Sequence, residues 1–170
     1  MRANFRTLNL LGFLACVLAM GFALFLQYAF GEQPCPLCIF QRVAMMATGL
    51  VFLVALIHGP RGGGRWVYAV LATVVALVGA GLAARHVWLQ SLPPGQAPGC
   101  GPSLGYLMQM MPFGQVVKLV LQGDGSCAVV TSRVMGLSLP IWTLVAFIGL
   151  AVYTITGTAF MKPHRGESWR

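Results

Sequence analysis

Charged residues are scarce in this sequence, and acidic residues are the scarcest. Only 8% of the 170 residues are charged, and three are Asp or Glu, whereas about a quarter of a typical soluble domain is charged. An ordinary soluble domain is therefore excluded. The net charge of +8 comes without a basic block interleaved with aromatic residues, so we expect no nucleic-acid partner.

The sequence contains four long apolar runs. Each is near or above the roughly 20 residues that a helix needs to cross about 30 Å of hydrocarbon. A backbone in lipid must satisfy its own hydrogen bonds, which favours helices. The sequence therefore predicts an all-α membrane protein, a four-transmembrane-helix bundle that forms a single domain over residues 1–170. The predicted helices cover approximately residues 8–30, 36–58, 66–89 and 136–161.

The basic residues are divided unequally between the two sides of such a bundle. Seven of the eleven lie at the N-terminus, between the second and third helices, or at the C-terminus. By the positive-inside rule these segments are cytoplasmic. We therefore expect a multi-pass protein of the bacterial inner membrane with both termini in the cytoplasm. Two loops, about 31–35 and about 90–135, are then extracytoplasmic.

The second loop is long and rich in both turn-forming and apolar residues. Proline and glycine cluster between Pro93 and Pro102, which is typical of turns. The stretch 104–121 is apolar, but Pro112 and Gly114 interrupt it, so it does not form a further span. It predicts a short helix lying in the membrane interface. A cover packed on the end of the bundle is an equally good interpretation.

Four of the five cysteines lie on the extracytoplasmic side of a topology that was deduced without them. They are Cys35, Cys38, Cys100 and Cys127. Thiols on that side of a bacterial membrane are expected to pair, and four cysteines allow three connectivities. The short spacing favours Cys35–Cys38, which leaves Cys100 and Cys127 for the second loop. Cys16, inside the first helix, is interpreted as a small buried hydrophobe.

Structural staples and a metal site are the alternatives for these cysteines. A bridge between Cys100 and Cys127 suits a staple, because it closes a flexible loop. The ring closed by Cys35 and Cys38 is so small that it restricts the chain little, so this pair is better suited to opening and closing. A zinc site would want nearby histidines, and neither loop contains one. No metal is predicted.

The expected position of the Cys-x-x-Cys pair favours reactive thiols. Cys35 is predicted at the N-cap of the second helix, with Pro36 at the first helical position. Cys38 then lies in the first turn, where the helix dipole and unpaired N–H groups stabilise a thiolate. Arg42 follows Cys38 by four residues, on the same helical face. Its guanidinium is predicted to hold a polar acceptor, such as a quinone carbonyl oxygen, beside the sulfur; snorkelling to the interface is the alternative.

At this point the sequence resembles the disulfide bond formation protein B family. Each motif is modest alone, but their order on four spans is specific. The matching segments are Cys35-Pro-Leu-Cys38, Gln41-Arg42, Cys100-Gly-Pro-Ser-Leu-Gly-Tyr106, Gly123-x-Gly-x-Cys127 and Gly136-x-Ser138-x-Pro140-x-Trp142. After Cys127 the chain continues Ala-Val-Val-Thr-Ser, where the family pattern suggests an acidic residue, and this departure concerns the docking of a partner.

The resemblance implies a quinone-dependent thiol oxidase. A reduced, DsbA-like thioredoxin-fold partner in the periplasm would attack a Cys100–Cys127 disulfide. Electrons would pass to Cys35 and Cys38, and Cys38 would hand them to ubiquinone or menaquinone of the membrane pool, with Arg42 beside it.

Gln41, Arg85 and His86 are second-rank candidates for the quinone head-group site. Arg85 and His86 end the third helix on the extracytoplasmic side, where interfacial charges are the alternative interpretation. An oxidoreductase like the vitamin K epoxide reductases is less favoured, because its Cys-x-x-Cys comes later in the chain. From another class, a non-enzymatic membrane scaffold with disulfide-stapled loops stays open.

Overall fold

The structure is a computed structural model whose largest elements are four long helices. It describes residues 5–31, 34–60, 62–93, 96, 99, 101, 104–123, 125–128, 133–134 and 136–161. The elements in chain order are α1 (Phe5–Phe30), α2 (Pro36–His58), α3 (Gly64–Gln90), α4 (Leu104–Met110), α5 (Phe113–Gln122), α6 (Gly125–Ala128), β1 (Arg133–Val134), β2 (Leu137–Ser138) and α7 (Leu139–Phe160).

The predicted fold class is confirmed by α1, α2, α3 and α7, which are long and apolar enough to cross a membrane. α1 begins at Phe5 and α3 at Gly64, each ahead of the apolar run itself, because polar residues at a membrane surface can continue a helix that the apolar run requires. α7 begins at Leu139, later than expected, because residues before it pair as the short antiparallel strands β1 and β2.

Each end of α2 has a local cause. Pro36 occupies the first turn, where its missing N–H costs nothing, and Cys35 is the N-cap, as predicted. At the other end Gly59 takes the left-handed conformation, with φ 54°, and its N–H binds the carbonyl of Ala55. Glycine adopts this conformation without strain, so the helix stops there and the short connection to α3 begins.

The bundle packs most extensively between α3 and α7, while α2 lies between α1 and α3. Ala72, Ala76 and Ala80 are buried along one face of α3, and such small residues let helices approach closely in lipid. Gly79 lies against the ring of Phe147. Cys16 is 3% exposed and belongs to the same core, which confirms its interpretation as a buried hydrophobe.

The second loop covers the end of the bundle that carries Cys35, called here the cysteine end. Leu107, Val116 and Val120 are buried in one cluster with Leu37 and Leu89 of the bundle, as the cover interpretation expects. Where one short helix was expected there are two, α4 and α5, which are separated at Met111 and Pro112. A location of α5 in the membrane interface stays a prediction.

Gly79→Ala is expected to lower the free energy of unfolding by about 1–3 kcal/mol, because the added methyl group would overlap the Phe147 ring. Gly81→Ala is the matched control on the same helix, since a Cβ there meets nothing within 4 Å. It should leave stability unchanged or raise it by up to about 1 kcal/mol. Unfolding in mixed detergent micelles measures both, and equal values for the two variants would contradict the close α3–α7 packing.

Candidate functional site

The start of α2 holds two thiols in contact. Cys35 Sγ accepts a hydrogen bond from the backbone N–H of Cys38 at 3.3 Å, and the two sulfurs lie 3.1 Å apart. This separation exceeds the roughly 2.05 Å of a disulfide bond, so the pair is described as a dithiol. Leu37, between them in sequence, is fully buried and anchors this turn in the cluster under the second loop. A disulfide between Cys35 and Cys38 stays a prediction.

His86 lies directly beside this dithiol. It occupies the last turns of α3 and is 3% exposed. Its Nε2 is 3.8 Å from Cys35 Sγ, and its Nδ1 is 3.9 Å from Cys38 Sγ. The sequence suggested only a second-rank place for His86 near a head group, and its contact with both sulfurs was missed.

The second loop brings a third cysteine to the same place. Cys127 lies in α6 and is 1% exposed, and its carbonyl oxygen is 3.1 Å from His86 Nε2. The donor atoms of Cys35, His86 and Cys127 all lie within 4.8 Å of one another. Cysteines from the two loops, 92 residues apart in number, therefore meet around one histidine.

Cys100 lies outside the described residues, but both of its neighbours are described. Gly99 and Gly101 line a cavity of about 470 Å³ together with Cys127 and Pro36. The cavity is partly open, and its lining also includes three apolar side chains of α4 and α5, those of Leu107, Leu119 and Val120. Gly99 and Gly101 therefore lie beside the Cys127 end of the site.

The cluster of Cys35, His86 and Cys127 also offers the donor types that zinc prefers. The expectation of no metal depended on the absence of histidine from the loops, and it overlooked His86 at the end of α3. Both ring nitrogens of His86 already have hydrogen-bond partners, Gln41 and the Cys127 carbonyl. A metal would therefore have to displace one of them.

Gln41 is buried between α2 and α3 and contacts the histidine. Its side-chain Nε2 is 3.1 Å from His86 Nδ1, and it is 5% exposed. The sequence grouped Gln41 with Arg42 as neighbours of a quinone. The structure places Gln41 on the thiol side of the cluster, against His86, and its part in a quinone site stays a prediction.

Arg42 is held by α1. Its guanidinium donates to the side-chain oxygen of Gln27 and, at 3.3 Å, to the carbonyl of Ala23. Gln27 was missed by the sequence analysis, although a polar side chain near the end of the first apolar run was a usable signal.

Arg85 points to the second loop. Its guanidinium donates to the carbonyls of Leu121 and Gln122 at 3.0 and 3.2 Å, where α5 ends. It also lies over the ring of Trp88, 4.1 Å from the centroid. These carbonyls form the negative end of the α5 dipole, so Arg85 fastens the loop to α3. These contacts do not test the predicted role of Arg85 in a quinone head-group site, which stays a prediction.

The chain is similar to proteins of one family along most of its length. The model of the family described as "Disulfide bond formation protein DsbB" matches residues 5–157. A disulfide bond formation protein B of Hahella chejuensis is 52% identical over 144 residues, 85% of this chain and 87% of the relative. Its counterpart in Methylococcus capsulatus is 47% identical over 150 residues, 88% of this chain and 92% of the relative. That of Nitrosococcus oceani is 46% identical over 155 residues, 91% and 92% of the two chains.

These matches extend over the four long helices and over both cysteine-bearing segments. The resemblance inferred from the motifs is thereby confirmed. This chain belongs to the disulfide bond formation protein B family, and it is a multi-pass bacterial membrane protein, a disulfide-forming oxidoreductase.

Proposed function

We propose that this protein is a quinone-dependent thiol oxidase of the bacterial inner membrane that re-oxidises a DsbA-like dithiol oxidase in the periplasm. The observation that carries the proposal is the meeting of Cys35, Cys38 and Cys127 around His86 at the cysteine end. A pair of loop staples does not need sulfurs of different loops within 4.8 Å of one another. Thiol–disulfide exchange does need it, because a thiolate must reach the sulfur that it attacks.

The electron route begins with the partner's thiolate, which attacks the Cys100–Cys127 disulfide at Cys100. One S–S bond breaks as another forms, and Cys127 leaves as the thiolate. Cys127 then attacks Cys35 in the Cys35–Cys38 disulfide, so that Cys38 becomes the leaving thiolate. The partner's second thiol displaces Cys100, and the partner leaves with a disulfide. The freed Cys100 attacks Cys127 and releases Cys35, which restores the Cys100–Cys127 disulfide. Cys35 and Cys38 are left as a dithiol, with the two protons of the partner's thiols taken up. Each exchange conserves electrons and the number of disulfides. The nearness of Cys127 to Cys35 supports this order of transfer.

The residues beside Cys38 fit a quinone head group. A guanidinium has five N–H donors, and within the described part of the chain two hydrogen bonds, to Gln27 and Ala23, hold that of Arg42. The remaining donors suit a quinone carbonyl oxygen. A bound ubiquinone or menaquinone would accept two electrons and two protons. Arg42 would bind and orient that oxygen, and Cys38 would supply the electron pair.

Three further residues would support the quinone site: Gln41, His86 and Arg85. His86 and Gln41 would line the thiol side of the head-group site, since both are buried against the cysteine pair. Arg85 would act by holding α5 over the cysteine end through its two carbonyl contacts.

The proposed orientation in the membrane has both termini in the cytoplasm. It is supported by the positive-inside rule, because the α2–α3 connection with its flanking Arg65 lies at the end of the bundle opposite to Cys35. The cysteine pair then faces the oxidising periplasm, where disulfides form.

Cys38→Ser is expected to abolish quinone reduction, because a serine hydroxyl cannot form the disulfide that releases the electron pair. Absorbance of ubiquinone or menaquinone measures this when purified protein meets a reduced DsbA-like partner. Cys16→Ala, in the core between α1 and α2, is the matched control and should keep wild-type turnover. Turnover by Cys38→Ser would contradict the route. If the wild type reduces neither quinone, the proposed quinone-dependent activity is overturned.

Arg42→Ala is expected to raise the KM for quinone by about tenfold to a hundredfold, because a hydrogen bond to a charged donor contributes about 1.5–3 kcal/mol. Its KM for the reduced partner should stay near the wild-type value. Arg65→Ala serves as the control, since Arg65 donates to the Gly62 carbonyl at the opposite end of the bundle. An unchanged quinone KM in Arg42→Ala would remove Arg42 from the head-group site.

A further inference from the structure

One nitrogen of the His86 ring lies against a hydrogen-bond acceptor and the other against a donor. Nε2 is 3.1 Å from the carbonyl oxygen of Cys127. A carbonyl oxygen can only accept a hydrogen bond, so Nε2 must carry the hydrogen. This assignment does not depend on the orientation of any side-chain amide, because a backbone carbonyl cannot be turned over.

The other nitrogen, Nδ1, is 3.1 Å from the side-chain Nε2 of Gln41. An amide NH₂ group donates, so Nδ1 accepts and carries a lone pair. The Cys127 carbonyl and the Gln41 amide together satisfy one neutral tautomer of His86 at both nitrogens. Which nitrogen of a histidine is protonated is set by such second contacts.

This tautomer distinguishes between the two cysteines of α2. Nε2, the donor nitrogen, lies 3.8 Å from Cys35 Sγ, whereas Nδ1, the acceptor nitrogen, lies 3.9 Å from Cys38 Sγ. The nitrogen that can take up a proton is therefore the one beside Cys38, although its lone pair accepts from Gln41 in this arrangement. A sulfur–nitrogen distance of 3.9 Å is long, but catalytic hydrogen bonds commonly tighten only in the reacting complex.

We propose that His86 Nδ1 takes the proton of the Cys38 thiol as the Gln41 amide turns its NH₂ group away, and that Gln41 is the positioning residue that keeps Nδ1 unprotonated beside that sulfur until then. The S–H bond of Cys38 breaks, an N–H bond forms at Nδ1, and the electron pair stays on sulfur as a thiolate. The imidazolium later releases this proton toward the quinone, because reduction of a quinone consumes two protons along with two electrons.

A glutamine is suited to this position because its amide can serve both states of the ring. With its NH₂ group toward Nδ1 it donates to the neutral imidazole. Turned over, it offers its oxygen to the new N–H of the imidazolium. Gln41 would thus keep a hydrogen bond to His86 before and after proton transfer, which an apolar side chain of the same size cannot do.

The meaning of this proton transfer rests on the proposed function, but the tautomer itself does not. The experiment uses full-length reduced, quinone-free protein with ¹⁵N-labelled histidine, read by NMR, with the His86 signals identified by their loss in His86→Gln. The wild type should show Nε2–H and an unprotonated Nδ1. Gln41→Leu should lose this preference. Gln41→Glu, which keeps the size and can only accept when ionised, should show His86 protonated at both nitrogens.

A second readout follows the thiolate directly. Iodoacetamide alkylates thiolates, and tandem mass spectrometry assigns the modified sulfur. Alkylation of Cys38 at neutral pH should slow by about tenfold or more in His86→Gln and to a smaller extent in Gln41→Leu. Thr48→Val is the matched control, because Thr48 is a buried polar residue of α2 whose hydroxyl binds its own helix at Ala44. It should keep the wild-type rate.

A wild-type ring protonated at Nδ1 alone would overturn the inference. So would a Gln41→Leu variant with both the wild-type tautomer and the wild-type alkylation rate. Neither result would disturb the proposed quinone chemistry, which is tested by turnover. Conversely, failure of the wild type to reduce quinone would remove the proposed function and leave the tautomer standing.

Discussion

The hydrogen bond between His86 and the carbonyl of Cys127 joins the end of α3 to the second loop, and the arrangement of the cysteine end depends on it. It sets the height of α6 above the bundle, and with that the approach of Cys127 to the thiols at the start of α2. In a buried setting an unpaired carbonyl or ring nitrogen is costly. The bond therefore stabilises the docked position of α6.

Some polar side chains inside this bundle bind their own helix, and others bind a neighbouring element. Thr48 and Thr154 direct their hydroxyls to carbonyls of their own helices, which satisfies them without any neighbour. Gln41, Arg42 and His86 instead bind across helices at the cysteine end. The opposite end has cross-helix contacts of its own, between Tyr153 and the Leu8 carbonyl and between His58 and Tyr68. What distinguishes the cysteine end is that its polar side chains surround the thiols, and ionisable groups inside a membrane bundle are typical of a functional site.

Much of this architecture could be predicted from the sequence because the bilayer is so restrictive a solvent. Apolar runs of sufficient length can satisfy their backbone only as helices, which gave the four spans. A Cys-Pro pair where a span begins gave Cys35 as the N-cap, since the proline fits the first turn. The break of the loop helix near Pro112 follows from the same local rule.

The contacts that require rotation of one helix against another could not be predicted. Spacing put Arg42 on the face of Cys38, but it could not say that Gln27 of α1 would hold the guanidinium. Arg85 and His86 looked alike as neighbours at the end of α3. Consecutive helical residues point about 100° apart, so one reaches α5 and the other reaches the cysteines.

The different directions of Arg85 and His86 limit where the chain can change in length. The last turns of α3 hold two separate parts of the second loop through adjacent residues, while Ala83 just before them is fully buried. Inserting or deleting a single residue between Ala83 and Arg85 would turn both attachments around the helix axis by about 100° and break them together. The connection around Gly62 and Gly63 lies at the opposite end of the bundle, where Arg65 donates to the Gly62 carbonyl three residues away. A Cβ added at either glycine would meet nothing within 4 Å. Insertions and deletions should therefore be tolerated in the α2–α3 connection and be selected against at the end of α3.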